Sequence, residues 1–170
     1  MSKLAAALLA FVGLALFSIP MSAQLIPHGN VYAGASYGQF TNVVNKQSYR
    51  GWNGSAEAIP FARFPHIGFV IDASGFYRTG ITEYNFLGGP RLSATFGKWR
   101  PFVHVMGGVQ RLHSADNVYR PTALDIGGGV DYKLFLKNFS WRVQGDYMHT
   151  HYSSADQTDY RASTGIVWRF

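Results

Sequence analysis

The chain has 170 residues, with 15 basic against 9 acidic side chains and no cysteine. No disulfide or thiolate site is therefore available, and the length suits one domain rather than two sizeable ones. Aromatic residues reach 16% while charged ones make up only 14%, a balance foreign to a cytosolic helical enzyme.

The N-terminus sets the compartment. Lys3 supplies a positive n-region, Leu4 to Ile19 form an uncharged apolar run, and Pro20 breaks it. Ser22 and Ala23 offer small residues for cleavage before Gln24, although Met21 at the −3 position is larger than the rule prefers. These are the parts of a secretory signal peptide, and the run is shorter than the ~20 residues a membrane helix needs. Residues 1–23 are expected to be removed, leaving 24–170 as one domain. No later apolar run is long enough for a membrane helix, so a membrane role requires strands.

From residue 30 onward the apolar pattern has period 2, broken by turn-rich segments. The first strand is expected over Asn30–Phe40, with Val31, Ala33, Ala35 and Tyr37 opposed to Tyr32, Gly34, Ser36 and Gly38. The second covers about Trp52–Ile59, and the third sets Ile67, Phe69, Ile71 and Ala73 against Gly68, Val70, Asp72 and Ser74. The fourth, about Thr82–Ser93, contains Pro90. A proline removes a ladder donor, so a bulge is expected there. The fifth alternates Val103, Val105 and Val109 with His104, Met106 and Gln110; the sixth alternates Leu124, Ile126 and Val130 with Asp125, Gly127 and Asp131. The seventh opposes Trp141, Val143 and Tyr147 to Arg142, Gln144 and Asp146, and the eighth ends the chain over Arg161–Phe170. The expected architecture is all-β: an eight-stranded antiparallel up-and-down transmembrane β-barrel.

The two faces decide which way the barrel is turned. A soluble barrel would bury the apolar face, but here the polar face mixes glycine and serine with opposite charges, as a cramped interior does. Aromatic residues gather at the strand ends: Tyr37, Trp52, Tyr77, Tyr84, Tyr147 and Tyr160 toward one rim, Tyr132, Trp141, Trp168 and Phe170 toward the other. Two girdles around an aliphatic belt suit a bilayer. The lumen is then expected to hold Glu57, Asp72, Asp125, Asp131 and Asp146 against Arg91, Lys133, Arg142, Arg161 and Arg169, with His104 as an extra titratable group. Five acids and five bases cancel, and buried charges must pair, so a salt-bridged plug is expected. The inner turns carry Arg63, Lys98, Arg100 and Lys137 and no acid, which suits anionic headgroups.

The last residues, Ser163-Thr164-Gly165-Ile166-Val167-Trp168-Arg169-Phe170, resemble the C-terminal assembly signal of outer-membrane barrels, polar-x-Gly-x-x-aromatic-x-aromatic. Ser163, Gly165, Trp168 and Phe170 occupy every specified position. The resemblance implies recognition by the barrel assembly machinery and escort by periplasmic chaperones. Gly51–Ser55, Gly88–Arg91 and Gly127–Asp131 add a resemblance to the OmpA-like family of small outer-membrane barrels. That likeness implies residence in the outer membrane among lipopolysaccharide and phospholipid, as a monomer. The peptidoglycan-binding domain of OmpA itself has no counterpart before Phe170 and is not carried over.

A structural, membrane-integrity or surface-interaction role is therefore expected, through outer loops at about Thr41–Gly51, Arg78–Ile81, His113–Arg120 and His151–Asp159. One alternative is a narrow channel for small solutes. Another is lipid A deacylation, because His151-Tyr152-Ser153 resembles the His-x-Ser of barrel deacylases; Ser154 replaces the family's Asn donor, however, and no acid stands at a matching place on the last strand. No catalytic residue, metal or cofactor is expected. His104, His113, His149 and His151 lack metal-ligand spacing, Gly127–Gly129 precedes no helix as a phosphate loop would, and the export signal argues against nucleic acid.

Overall fold

In the computed structural model, residues 28–41, 46–60, 64–78, 81–114, 117–119, 121–151 and 156–170 are described. The expected signal segment, Arg63 and Ser153 lie outside them. The strands are β1 (His28–Thr41), β2 (Lys46–Ile59), β3 (Ile67–Arg78), β4 (Ile81–Ser93), β5 (Trp99–Ser114), β6 (Asn117–Tyr119), β7 (Thr122–Lys133), β8 (Phe139–His151) and β9 (Asp156–Arg169). Each pairs antiparallel with its neighbour, and β1 pairs with β9 from Asn30↔Arg169 to Thr41↔Thr158, which closes the sheet. The short β6 pairs only with the far end of β5. Gln110 N–H donates to the Pro121 carbonyl at 3.0 Å where the chain passes from β6 to β7, so these two pieces form one wall strand. The result is a closed eight-stranded barrel.

Period-2 alternation is what the pleat requires of a wall with unlike sides. Along β8 every second side chain from Ser140 to Thr150 is buried, while Trp141, Val143 and Tyr147 are exposed. Several strands run further than the sequence indicates: Lys46–Gly51 belong to β2 and Asp156–Asp159 to β9 rather than to loops. The residues join those strands because cross-strand pairing continues past the point where apolar alternation fades.

Two tight turns sit at the end where β1 starts and β9 finishes. Phe96 and Trp99 exchange backbone hydrogen bonds of 2.8 and 3.0 Å across Gly97-Lys98, and Gly97 has φ +60°. A positive φ at the first central residue is the II′ hairpin pattern that favours glycine. Asn138, at φ 72°, does the same service before β8.

The bulge expected at Pro90 is absent. The β4–β5 register is the same before and after it, from Ile81↔Ser114 through Gly88↔Gly107 to Arg91↔His104, with only the pairs at Gly89 and Pro90 missing. Pro90 points outward while Arg91 stays buried. The lost donor interrupts the ladder locally, and continuous pairing with β3 holds the strand straight.

The outer wall is apolar. Ile71 is 59% exposed and Val103 58%, with Phe86, Val105, Leu124, Ile126 and Ile166 similarly bare. Aromatic pairs mark both rims: Tyr77–Tyr84 and Tyr147–Tyr160 toward the loops, Trp99–Tyr132 and Trp168–Phe170 toward the termini. A 12-residue strand rising ~3.3 Å per residue at ~40° tilt climbs ~30 Å, enough to cover an apolar band ~25 Å tall.

Candidate functional site: the charged lumen

Inward positions on every long strand bring polar groups together in two clusters. Nearer the termini, Arg142 on β8 grips Asp131 on β7 with two bonds, Nε to Oδ1 at 2.6 Å and Nη2 to Oδ2 at 3.0 Å. Arg169 Nη2 reaches the same Oδ2 at 2.7 Å. Across the lumen, Glu57 on β2 accepts from Asn30 and from Arg91 Nη1 at 3.3 Å, while Arg100 Nη2 stands 3.9 Å away. Phe102 on β5 lies between two guanidinium groups, Arg91 at 4.4 Å and Arg142 at 4.6 Å from its ring centre. The aromatic faces, negative at their centres, let two like charges approach one ring. Tyr32 adds a second ring, 5.0 Å from Arg142. It lies against Gly34, where a Cβ would come within 2.7 Å of its Cζ.

The second cluster lies nearer the middle. Arg161 on β9 donates to three carboxylates from three strands: Nε to Asp146 at 2.7 Å, Nη1 to Asp72 at 3.0 Å and Nη2 to Asp125 at 3.1 Å. Its Nη1 also reaches Ser74 at 3.1 Å. Asn53 donates to Asp72 at 2.7 Å, and Gln144 to Asp146 at 3.2 Å. His104 Nε2 stands 3.1 Å from Asp146 Oδ1 and 3.6 Å from Asp125 Oδ1. Nε2 and both Oδ1 atoms are buried without a hydrogen-bond partner, as is His104 Nδ1. Phe102 stacks on the imidazole at 5.9 Å between centres.

The contents of the lumen differ from the expected set in three ways. Lys133, expected within it, is exposed at the terminal mouth beside Lys98 and Lys137; it has inward parity but lies beyond the depth at which the wall encloses a side chain. Arg100, expected on a turn, points inward and donates to Ser93 at 2.7 and 3.1 Å. Glu83, at the edge of the expected fourth strand, and Asp159, expected in an outer loop, are both buried, on β4 and β9. Asn85 donates to Glu83 at 3.0 Å, and Gln157 to Asp159 at 2.9 Å. Among the described residues the balance is thus seven buried acids to three buried and two half-buried arginines, not five to five.

The charge is also segregated along the axis. The terminal cluster has four arginines to two acids; the remainder has Arg161 and His104 to Asp72, Glu83, Asp125, Asp146 and Asp159. Salt bridges are not the only filling, because Val70, Leu87, Met106, Ala123 and Met148 form an apolar cluster inside the wall. Inward apolar residues among polar ones gave no periodic signal of their own.

The other candidates are placed as follows. Ser163 is buried and bonds Ser36 at 2.7 Å; Gly165 pairs with Gly34, where a Cβ would crowd the Ala33 carbonyl. Trp168 and Phe170 are outward, and Phe170 exchanges 3.2 Å backbone bonds with Gly29. His151 is exposed at the end of β8, paired in the ladder with Thr122. Ser153 lies outside the described residues.

No family model matches the chain, and no curated protein matches by sequence. Solved structures do. Neisserial surface protein A (NspA) aligns over 84% of this chain and 97% of its own, with a TM-score of 0.70 at 14% identity. The N-terminal barrel of Pseudomonas aeruginosa OprF gives 0.58 at 15% identity, covering 83% and 97%. Ail, the attachment invasion locus protein of Yersinia pestis, gives 0.51 at 14% identity, covering 84% and 98%. The fold is that of small outer-membrane β-barrels.

Proposed function

We propose that this protein is an integral outer-membrane barrel with a structural, membrane-integrity or surface-interaction role, non-enzymatic, and closed to ions through its lumen. The observation that carries the closure is Arg161, whose guanidinium spans from β9 to Asp72 on β3, Asp125 on β7 and Asp146 on β8. An eight-stranded interior is just wide enough for side chains to fill, and this one arginine bridges opposite walls. The terminal cluster adds a second layer, and the apolar cluster occupies the wall beside it.

Membrane residence is supported by the bare apolar wall and its aromatic rims. Short turns at the terminal end and the loops at the other end match the inner and outer sides of such barrels. In that orientation Lys98, Lys133 and Lys137 ring the inner mouth and meet anionic headgroups at about 1 kcal/mol each. Export through a cleaved signal, delivery by chaperones and reading of Ser163, Gly165, Trp168 and Phe170 by the assembly machinery complete the proposal. Surface attachment, the property named for Ail, is the kind of role the loop end would serve.

The test is planar-bilayer recording on the refolded protein. Silence under voltage agrees with closure; sustained, ion-selective openings would refute it and favour a solute channel.

A further inference from the structure

We propose that His104, Asp125 and Asp146 form a lumenal site for one divalent transition-metal cation of the zinc class. The inference concerns these three side chains and stands whether or not the barrel conducts.

The division of labour within each carboxylate is the first argument. Asp146 Oδ2 takes the bonds from Arg161 and Gln144, and Asp125 Oδ2 takes the bond from Arg161. Both Oδ1 atoms are left without a hydrogen-bond partner and face His104 Nε2 at 3.1 and 3.6 Å. The three atoms lie within 4.8 Å of one another. Three acceptor atoms this close in a buried interior repel one another unless a proton or a cation lies among them. Arg161 holds the carboxylates from behind, the place that outer-shell donors take around bound metals.

The 3.1 Å separation matches two ligands of one metal, and the 3.6 Å one lies just beyond it. Ligands about 2.1 Å from one centre lie about 3.0–3.5 Å from each other in tetrahedral or octahedral sites. For the 3.1 Å pair, such a centre places the oxygen about 40° off the imidazole axis. That offset is compatible with coordination and would bend an N–H···O bond well away from linear.

Charge and space agree. Asp72, Asp125 and Asp146 face Arg161 as their only arginine partner among the described pairs, a formal charge of −2 with neutral His104. A dication cancels it, and an imidazolium leaves −1; uncompensated charge is costly in such an interior. Gly127 keeps the adjoining space open. A Cβ there would collide with Asp146 Oδ1 and come within 2.7 Å of His104 Nε2. A mixed imidazole and carboxylate set selects a first-row transition ion over Mg2+ or Ca2+, which prefer oxygen alone.

The protein is refolded from denaturant into micelles with Zn2+, freed of unbound metal by gel filtration, and analysed for zinc per folded chain. One zinc per wild-type chain is expected, unaffected by excess Mg2+, and lowered about tenfold or more in His104→Gln and in Asp125→Asn. Folding is read separately from heat-modifiable migration. Co2+ bound to the wild type is expected to show the visible absorption of nitrogen and oxygen ligation, a readout that needs no variant to fold. Zinc-free wild type, equal zinc in the folded variants, or a Co2+ spectrum of the free aqua ion would each overturn the site.

Discussion

Replacing Arg161 with alanine removes the one guanidinium that ties β3, β7 and β8 to β9. Four hydrogen bonds are lost, of 2.7 to 3.1 Å, three of them to carboxylates. At about 1.5–3 kcal/mol for each bond to a charged group the ceiling is about 6–12 kcal/mol. Water admitted to the vacated volume recovers part of that, so the expected loss is about 3–5 kcal/mol, the usual cost of orphaning a buried charge. Against a total stability of about 5–15 kcal/mol this is a large fraction. Arg161→Lys retains the charge but not the fork that reaches three acceptors, and should lose about half as much. The assay is urea unfolding in micelles, followed by tryptophan fluorescence and by the fraction of heat-modifiable protein on unboiled gels. Adding Asp125→Asn to the alanine variant should restore about 1 kcal/mol or more, because one orphaned carboxylate is then gone. An Arg161→Ala protein within about 1 kcal/mol of wild type, at unchanged slope, would refute a network that bears the load across the lumen.

Ile71→Arg places a charge on the exposed outer wall and should cost about 2–4 kcal/mol in a bilayer; Asp72→Asn, one residue on, should act through Arg161 and Asn53 instead, and harmless behaviour of both would reverse the inside-outside assignment. Deleting Phe170 removes its backbone bonds to Gly29 and the outward ring beside Trp168, so the folded fraction in the outer membrane should fall; wild-type abundance with normal heat-modifiability would count against an assembly signal. Protease added to intact cells should cut only at the end of the barrel away from the termini, and cleavage between Leu134 and Phe139 would invert the proposed orientation.

The wall was legible in the sequence because each strand has unlike sides, and period 2 survives every glycine and proline. Depth was not. Glu83 shares its parity with Asn85 and Asp159 with Arg161, yet both stand where apolar alternation weakens and no longer marks how far the wall extends. Lys133 shows the converse, having inward parity but a place at the mouth. The convergence of His104, Asp125 and Asp146 needed the register as well: Asp125 stands opposite Met106, Asp146 opposite Gly127, and Gly127 opposite His104. No spacing along the chain encodes that triangle, and the histidines near it in sequence, His149 and His151, are not part of it. Pro90 misled in another way, because a missing donor can open a gap in one ladder without adding a residue to it.

Among the described residues, the lengthwise separation of charge gives the lumen an axial dipole. Four arginines stand guard toward the termini, and carboxylates predominate from the middle to the loops. A cation entering from the loop side meets an attractive basin and then a barrier; an anion from the other side meets the same profile with the signs exchanged. Any leak made by cutting a side chain out of the lumen would pass current more readily at one polarity than the other. The lumenal charges would thus already contain the elements of a rectifier.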